Sequence, residues 1–360
     1  EAFNQLNSAF LNIENDNYFT PTVTSIDRLR LLTEGFYNAE VLPALSGVTA
    51  NDISLKALLP DDNRQLIMQY LYLAGNSKSL GSKHVLVKAE DGSAYSYMHA
   101  QYHPEMLKVV RKEGISDIIF VDYKTGYVTY SVKKNLDFGT SLFEGPYKNS
   151  GLGLAFKSAI AGNSQGTVSY TDVSLYLPDI YKPCLFISAP VYSGTQLLGA
   201  VIFKIDVDAL DHLLVIDRDR LNFGQSLKTI LIGPDLLYRN NDPEFSENPA
   251  RYLRRLKHHS GTAEIALKAS EYKSTALIQP VDSRIFEDAL KGRESVVKYK
   301  TETGNKVLCN YAPLKIANLD WIILSQIDTS DALASLHRLT RVLVVITLLI
   351  ALILYFISNV

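Results

Sequence analysis

The sequence predicts an α+β protein: a long N-terminal helical region, two tandem α/β units built on antiparallel sheets, and a C-terminal transmembrane helix. Three observations predict it. The first part of the chain is rich in helix formers, the middle contains an internal echo of strand–turn–strand segments, and the last residues form an uncharged apolar run. The expected boundaries are 1–75 for the helical region, 76–215 and 216–335 for the two units, and 340–360 for the membrane helix.

In the N-terminal region, residues 26–44 place Ile26, Leu29, Leu32, Phe36, Ala39 and Leu42 at helical spacing, an apolar stripe. Residues 63–73 read as a second helix after Pro60-Asp61-Asp62, with Asp62 as its N-cap. Residues 95–112 continue the helical pattern as far as Gly114.

The echo is more informative. Residues 186–210 read FISAPVYSGTQLLGAVIFKIDVDAL, and residues 308–333 read LCNYAPLKIANLDWIILSQIDTSDAL. Both run strand, Ala-Pro, short polar turn, strongly β-prone strand, Ile-Asp, then an Asp-Ala-Leu that opens a helix. Each half also begins with a hairpin. In the first, 117–122 and 127–132 flank the turn Lys124-Thr125-Gly126; in the second, 229–232 and 236–239 flank Gly233-Pro234-Asp235. The repetition predicts two similar units.

Residues 342–357 (VLVVITLLIALILYFI) carry no charge. A helix of about 20 residues crosses a hydrocarbon core of about 30 Å, so this run with its flanks is long enough. The chain opens on Glu1 rather than Met and is expected to be part of a longer protein, with an output region after Val360. Apolar residues are 47% and charged residues 21%, ordinary globular usage. A formal net charge of -2 argues against a nucleic-acid surface. Two cysteines, Cys184 and Cys309, exclude a disulfide framework and a Cys-rich metal site.

This order of elements resembles the double Cache (dCache) sensor domains of bacterial transmembrane receptors, whose units are PAS-like. Residues 94–106 (AYSYMHAQYHPEM), 117–156 and 226–241 (SLKTILIGPDLLYRNN) resemble the Cache regions of methyl-accepting chemotaxis proteins and membrane-bound adenylate or guanylate cyclases. The most specific stretch is 130–147, where Tyr-Ser-Val-Lys, Asp-Phe-Gly-Thr and Gly-Pro-Tyr follow one another. The resemblance implies a homodimeric sensor at the bacterial inner membrane, its soluble part periplasmic or extracellular. It implies a small-molecule ligand in the membrane-distal unit and a helix shift relayed to a chemotaxis or cyclase output. It implies neither catalysis nor a cofactor in this portion. The alternative is a dimerisation or partner-interaction module that binds no ligand. Amino-acid-sensing members carry an Arg-x-Trp-Tyr cluster, and the only tryptophan here is Trp321, so an α-amino-acid ligand is not implied.

Site candidates follow the same stretch. Tyr130, Lys133, Asp137 and Tyr147 cluster along the exit of the first hairpin, whose alternate residues in a PAS-like sheet face the pocket. A lysine and a carboxylate flanked by phenols suit a small polar or zwitterionic ligand. The bland reading makes Asp137 a turn cap and Lys133 a surface residue. Tyr170, Asp172, Tyr176 and Tyr181 lie on a segment that the resemblance places over the pocket, the alternative being an ordinary Tyr-rich loop, and Asp172 is the candidate for the family's amine-binding carboxylate. His99 and His103 are four apart, a zinc-ligand spacing, but no third ligand follows, and the pair reads instead as a helix face packed on the sheet or as a pocket wall. No Gly-x-Ser-x-Gly elbow, Walker loop, dinucleotide fingerprint or kinase loop is present. Gly151-x-Gly153 lacks the preceding strand and third glycine of a phosphate site.

Overall fold

The structure, a computed structural model, describes residues 1–17, 25–49, 53–60, 62–162, 165–214, 226–258, 261–282, 288–289, 291–301, 304–333, 340, 343–344 and 346–347. The expected membrane helix at 340–360 falls largely outside these. Among the described residues, no helix is long and apolar enough to cross a membrane. The chain divides into two compact units: Glu1–Leu210 with Leu267–Ile278 and Ile316–Leu319, and a second unit holding the remaining described residues.

The first unit opens with helices α1 (Ala2–Leu11), α2 (Ile26–Phe36), α3 (Leu42–Ser46), α4 (Leu55–Leu58), α5 (Asn63–Gln69) and α6 (Ala94–Glu113). The predicted stripe at 26–44 is helical but interrupted by a π-turn at Tyr37–Val41. Leu29 and Phe36 are buried, whereas Thr33 rather than Leu32 takes the inward position between them. Asp62 caps α5 as expected, accepting from Gln65 N at 2.8 Å. Gly114 ends α6 at φ +67, a left-handed conformation that costs glycine little.

The sheet of this unit contains β1 (Asp117–Asp122), β2 (Val128–Ser131), β3 (Ser169–Tyr170), β4 (Ser174–Tyr176), β5 (Lys182–Ser193) and β6 (Gln196–Asp206), with α7 (Gly151–Ala161) between β2 and β3. Its order is β2-β1-β6-β5-β3, with β4 also on β5, and every pairing is antiparallel. Asp122 closes the β1–β2 turn by accepting from Lys124 N and Thr125 N. All of β1 is buried, because both faces of the sheet are covered. Ile119 and Val121 join one core with Leu152, Phe156 of α7 and Phe186, whereas Ile118 and Phe120 join the other with Phe3, Phe10 and Tyr95.

On β2 that alternation slips. Phe120 pairs with Tyr130 but Val121 pairs with Val128, so Thr129 is an extra residue in a β-bulge. Val128 therefore joins the first core and Tyr130 the second, although they are two residues apart.

Helix α8 (Val207–Leu214) follows β6. The second unit then holds β7 (Lys228–Ile232), α9 (Pro243–Glu247) and α10 (Pro249–His258). After α11 (Ala263–Glu271) come β8 (Ser295–Lys300), β9 (Lys306–Ile316), β10 (Leu319–Asp328) and α12 (Thr329–Ala332). The sheet order is β7-β10-β9-β8. The echoed segments thus become the long hairpins β5–β6 and β9–β10, and β6 and β10 each pair with the first strand of their own unit. The expected return strand at 236–239 is reduced to the isolated bridges Ile232↔Tyr238 and Leu237↔Pro280. Leu236 at φ +64 breaks the extended backbone there.

Candidate functional site

Asp137 lies in the turn that follows β2 and is wholly buried. Thr140 holds the turn by donating N–H and Oγ1–H to the Asp137 carbonyl. Gln69 at the end of α5 pins it from above, its Nε2 donating to the carbonyls of Leu136 and Phe138 on either side. Gln69 Oε1 in turn accepts from Tyr37 Oη at 2.9 Å. The carbonyls of the turn are therefore held, but the side chain it carries is not. Neither oxygen of the Asp137 carboxyl accepts a hydrogen bond. The turn-capping reading of this residue does not hold.

Two phenols share that condition. Tyr147 enters from the turn before α7 and Tyr176 from the end of β4, both buried in the first core. Neither hydroxyl has a hydrogen-bond partner, nor does Ser174 Oγ on β4. The groups sense one another: burial, then Tyr37 and then the Asp137 charge raise the phenol of Tyr147, burial and then the Asp137 charge raise that of Tyr176, and the same charge adds to burial at Tyr37. The Tyr176 hydroxyl stands close enough to oppose the rise at Asp137 as a hydrogen-bond donor does, although the pair falls short of full hydrogen-bonding geometry. Burial, reinforced by the charge of Asp117, pushes Asp137 up to about 7. Asp117 itself is raised by burial to about 6, although it accepts from Ser131 Oγ, Val132 N and Lys133 N. An acid held near neutrality among phenols can release its proton to meet a cationic donor.

Of the six sequence candidates, the structure brings Asp137 and Tyr147 together. Tyr130 lies across the sheet, packed with Phe120 and within 2.9 Å of His103 Nδ1. Lys133 is half-buried, its backbone N–H on Asp117 and its charge felt at His84. Tyr170 pairs with Ile187 in β3, and Asp172 accepts from Val173 N at 2.7 Å. Both are half-buried, and neither bonds the Asp137 carboxyl. Tyr37 and Gln69 went unrecognised in the sequence. They sit in the N-terminal helices, far from the hairpin along the chain, and only their polarity within an apolar stripe hinted at a role.

Across the sheet a second polar group is buried. His99 and His103 stack at 4.4 Å between ring centroids under α6, as the packed-face reading of that spacing requires. His99 Nδ1 lies 2.5 Å from Val87 O and His103 Nε2 lies 2.7 Å from His84 O. Lys134, fully enclosed at φ +56, places Nζ 3.3 Å from His103 Nε2. Burial lowers Lys134 to about 7 despite Asp117. Burial and then the Lys134 charge lower His103 to about 3.

No family model matches this chain, and no curated protein matches it. Solved structures similar to it include ligand-binding domains of chemoreceptors. One is that of the Pseudomonas aeruginosa amino acid chemoreceptor PctB in complex with L-Gln, 12% identical over 88% of this chain and 98% of that one, TM-score 0.38. Another is that of the Pseudomonas fluorescens chemoreceptor CtaA in complex with L-serine, 12% identical over 61% and 75%, TM-score 0.36. A methyl-accepting chemotaxis protein X is similar at 15% identity over 62% and 79%, TM-score 0.39. Identities and TM-scores this low carry no functional argument.

Proposed function

We propose that this chain is the sensing part of a double Cache receptor at the bacterial inner membrane. Its first unit, the membrane-distal one, holds a small molecule at Asp137, Tyr147 and Tyr176. What supports this is the set of unpartnered buried polar groups: two carboxyl oxygens and two phenol hydroxyls in one core. Each unmet group of this kind costs about 1–3 kcal/mol, and native proteins carry few of them. A ligand bearing a protonated amine or several hydroxyls would satisfy the carboxylate and both phenols at once. Binding would tighten the turn that Gln69 ties to the N-terminal helices, and a shift of those helices would be relayed through the dimer to an output beyond the membrane. The unit detects and performs no chemistry.

The test is thermal-shift and calorimetric screening of the full chain against small amines, zwitterions and polyols. At about 100 times Kd a true ligand stabilises the fold by about 2.7 kcal/mol. The expected result is a hit that Asp137→Asn abolishes. Silence across the library, or hits that Asp137→Asn leaves unchanged, would replace this reading with a partner-interaction module.

A further inference from the structure

The site at Asp137 is sealed. Asp137 and Tyr176 show no surface to solvent and Tyr147 shows 3%, so a ligand enters only if something moves. Most of the enclosure is anchored: Gln69 holds the Asp137 turn to α5, and β1, β5 and β6 each have a neighbour on both edges. The exception is β4. It is three residues long, pairs with β5 alone, and faces at its middle residue Pro183, which has no N–H to give. Its Tyr176 hydroxyl and Ser174 Oγ are among the groups left without partners.

Residues 177–181 close the hairpin from β4 into β5 and lie on the Asp137 turn, where Pro178 O accepts from Leu136 N at 3.3 Å. Leu177, Ile180 and Tyr181 pack on the first core while remaining half-buried. Ile180 at φ +51 and Tyr181 at φ +57 are consecutive left-handed residues, and a β-branched side chain is an outlier there. Such strain persists only where the surroundings enforce it, and it concentrates at clamps and switches. Here the enforcing contact is ionic. Asp179 pairs with Lys204 of β6, whose side chain is 1% exposed. Burial works against the charge of that amine, but Asp179 and Asp206 outweigh it and hold Lys204 above the ordinary lysine range. Lys182 at the loop exit pairs with Asp206 at 2.9 Å and Asp208 at 3.0 Å, so both limbs are tied down. A cavity of about 370 Å³ borders the loop at Asp179 and Ile180 without touching Asp137, Tyr147 or Tyr176, and it leaves the loop room to swing.

We propose that β4 and the loop 177–181 form the gate of the Asp137 site, latched by the Asp179–Lys204 ion pair. This rests on the reading of that site as ligand-binding. Closed, the gate holds Tyr176 in the core beside the carboxyl; opening carries Tyr176 away with β4 and admits the ligand.

Cys184 reports the opening. It is buried in β5 opposite Ser174 of β4, whereas Cys309, also buried, belongs to the core of the second unit. The full chain would be alkylated with iodoacetamide in native buffer and both cysteines followed by peptide mass spectrometry. With closing faster than alkylation, each rate is the opening equilibrium multiplied by the rate of a free thiol. Asp179→Asn should raise the Cys184 rate about tenfold, the loss of one partner of an enclosed lysine, and leave Cys309 unchanged. The wild type alone gives a second measure: its Cys184 rate should rise only slightly up to about 1 M urea, because opening one loop exposes little surface. If the variant speeds both cysteines it has lost more than the latch, and the urea series decides. A Cys184 rate that Asp179→Asn leaves unchanged would overturn the gate while the Asp137 site stands. So would one that climbs in urea as steeply as global unfolding followed by circular dichroism. Faster Cys184 alkylation in Asp179→Asn together with a silent ligand screen would overturn the ligand reading instead, and leave the latch standing.

Discussion

Asp137→Asn removes a charge and keeps the shape of the side chain, so it isolates what burial does to this carboxyl. In the folded chain the group is pushed up to about 7; in an unfolded chain it sits at about 3.9. Between those values the folded state keeps a proton that the unfolded state has lost. Stability therefore falls as pH rises through this window, the reverse of a salt-bridged carboxylate. The penalty is absent below about pH 4 and complete above about pH 7. Roughly three pKa units at about 1.36 kcal/mol each give about 4 kcal/mol as its upper size. The assay is urea unfolding of the full chain from pH 4 to 8, followed by far-UV circular dichroism and by hydrogen exchange of peptides spanning β1 and β2. Trp321, the only tryptophan, lies in β10 of the second unit, so its fluorescence follows that unit separately. The wild type should lose stability in the first unit as pH rises, and Asp137→Asn should flatten that loss. Any constant offset from placing an amide in the site cancels, because only the pH-dependent part is compared. Parallel curves for the two proteins would refute the claim that an unpartnered carboxyl is buried there.

Tyr147→Phe and Tyr176→Phe each delete a buried hydroxyl that has no partner, so thermal melts should show a change within about 0.5 kcal/mol or a gain. A loss above about 1 kcal/mol would mean the hydroxyl is satisfied. Ligand binding at Asp137 should release close to one proton near pH 6, detectable by calorimetry in buffers of different ionisation enthalpy. Lys134 is a base lowered to about 7, so its contribution to stability is lost as pH falls from about 10 to about 7. Lys134→Met should abolish that slope, worth on the order of 4 kcal/mol, in the same unfolding assay extended to about pH 10. Ser150 Oγ accepts from Gly153 N at the start of α7, and Ser150→Ala should cost about 1 kcal/mol in a thermal melt.

The opening hairpin of the first unit, the α5 cap at Asp62 and the extent of α6 were legible in the sequence because each depends on residues within a few positions of one another, whereas the expected return strand at 236–239 was not formed. Also legible was the correspondence of the two long hairpins, where Ala189-Pro190 and Ala312-Pro313 hold matching places in β5 and β9. The candidate site was legible only in part. Counting by twos along 127–132 aims Tyr130 at the same side as Val128, and the bulge at Thr129 reverses that aim. A bulge is set by the partner strand, so its own strand does not announce it. Lys133 drew notice where the adjacent Lys134 is the buried amine, because the left-handed turn at Lys134 swings it beneath α6. The latch joins Asp179 of the loop 177–181 to Lys204 of β6, a pair no local pattern connects.

By itself the sequence determined the α+β class of the protein, since alternation, helical spacing and turn residues are short-range properties of the chain. Tertiary structure alone decided which polar groups were sealed away from water without partners. That outcome depends on which elements close over a side chain, and the covering helices α2, α5 and α7 come from both sides of the Asp137 turn along the chain.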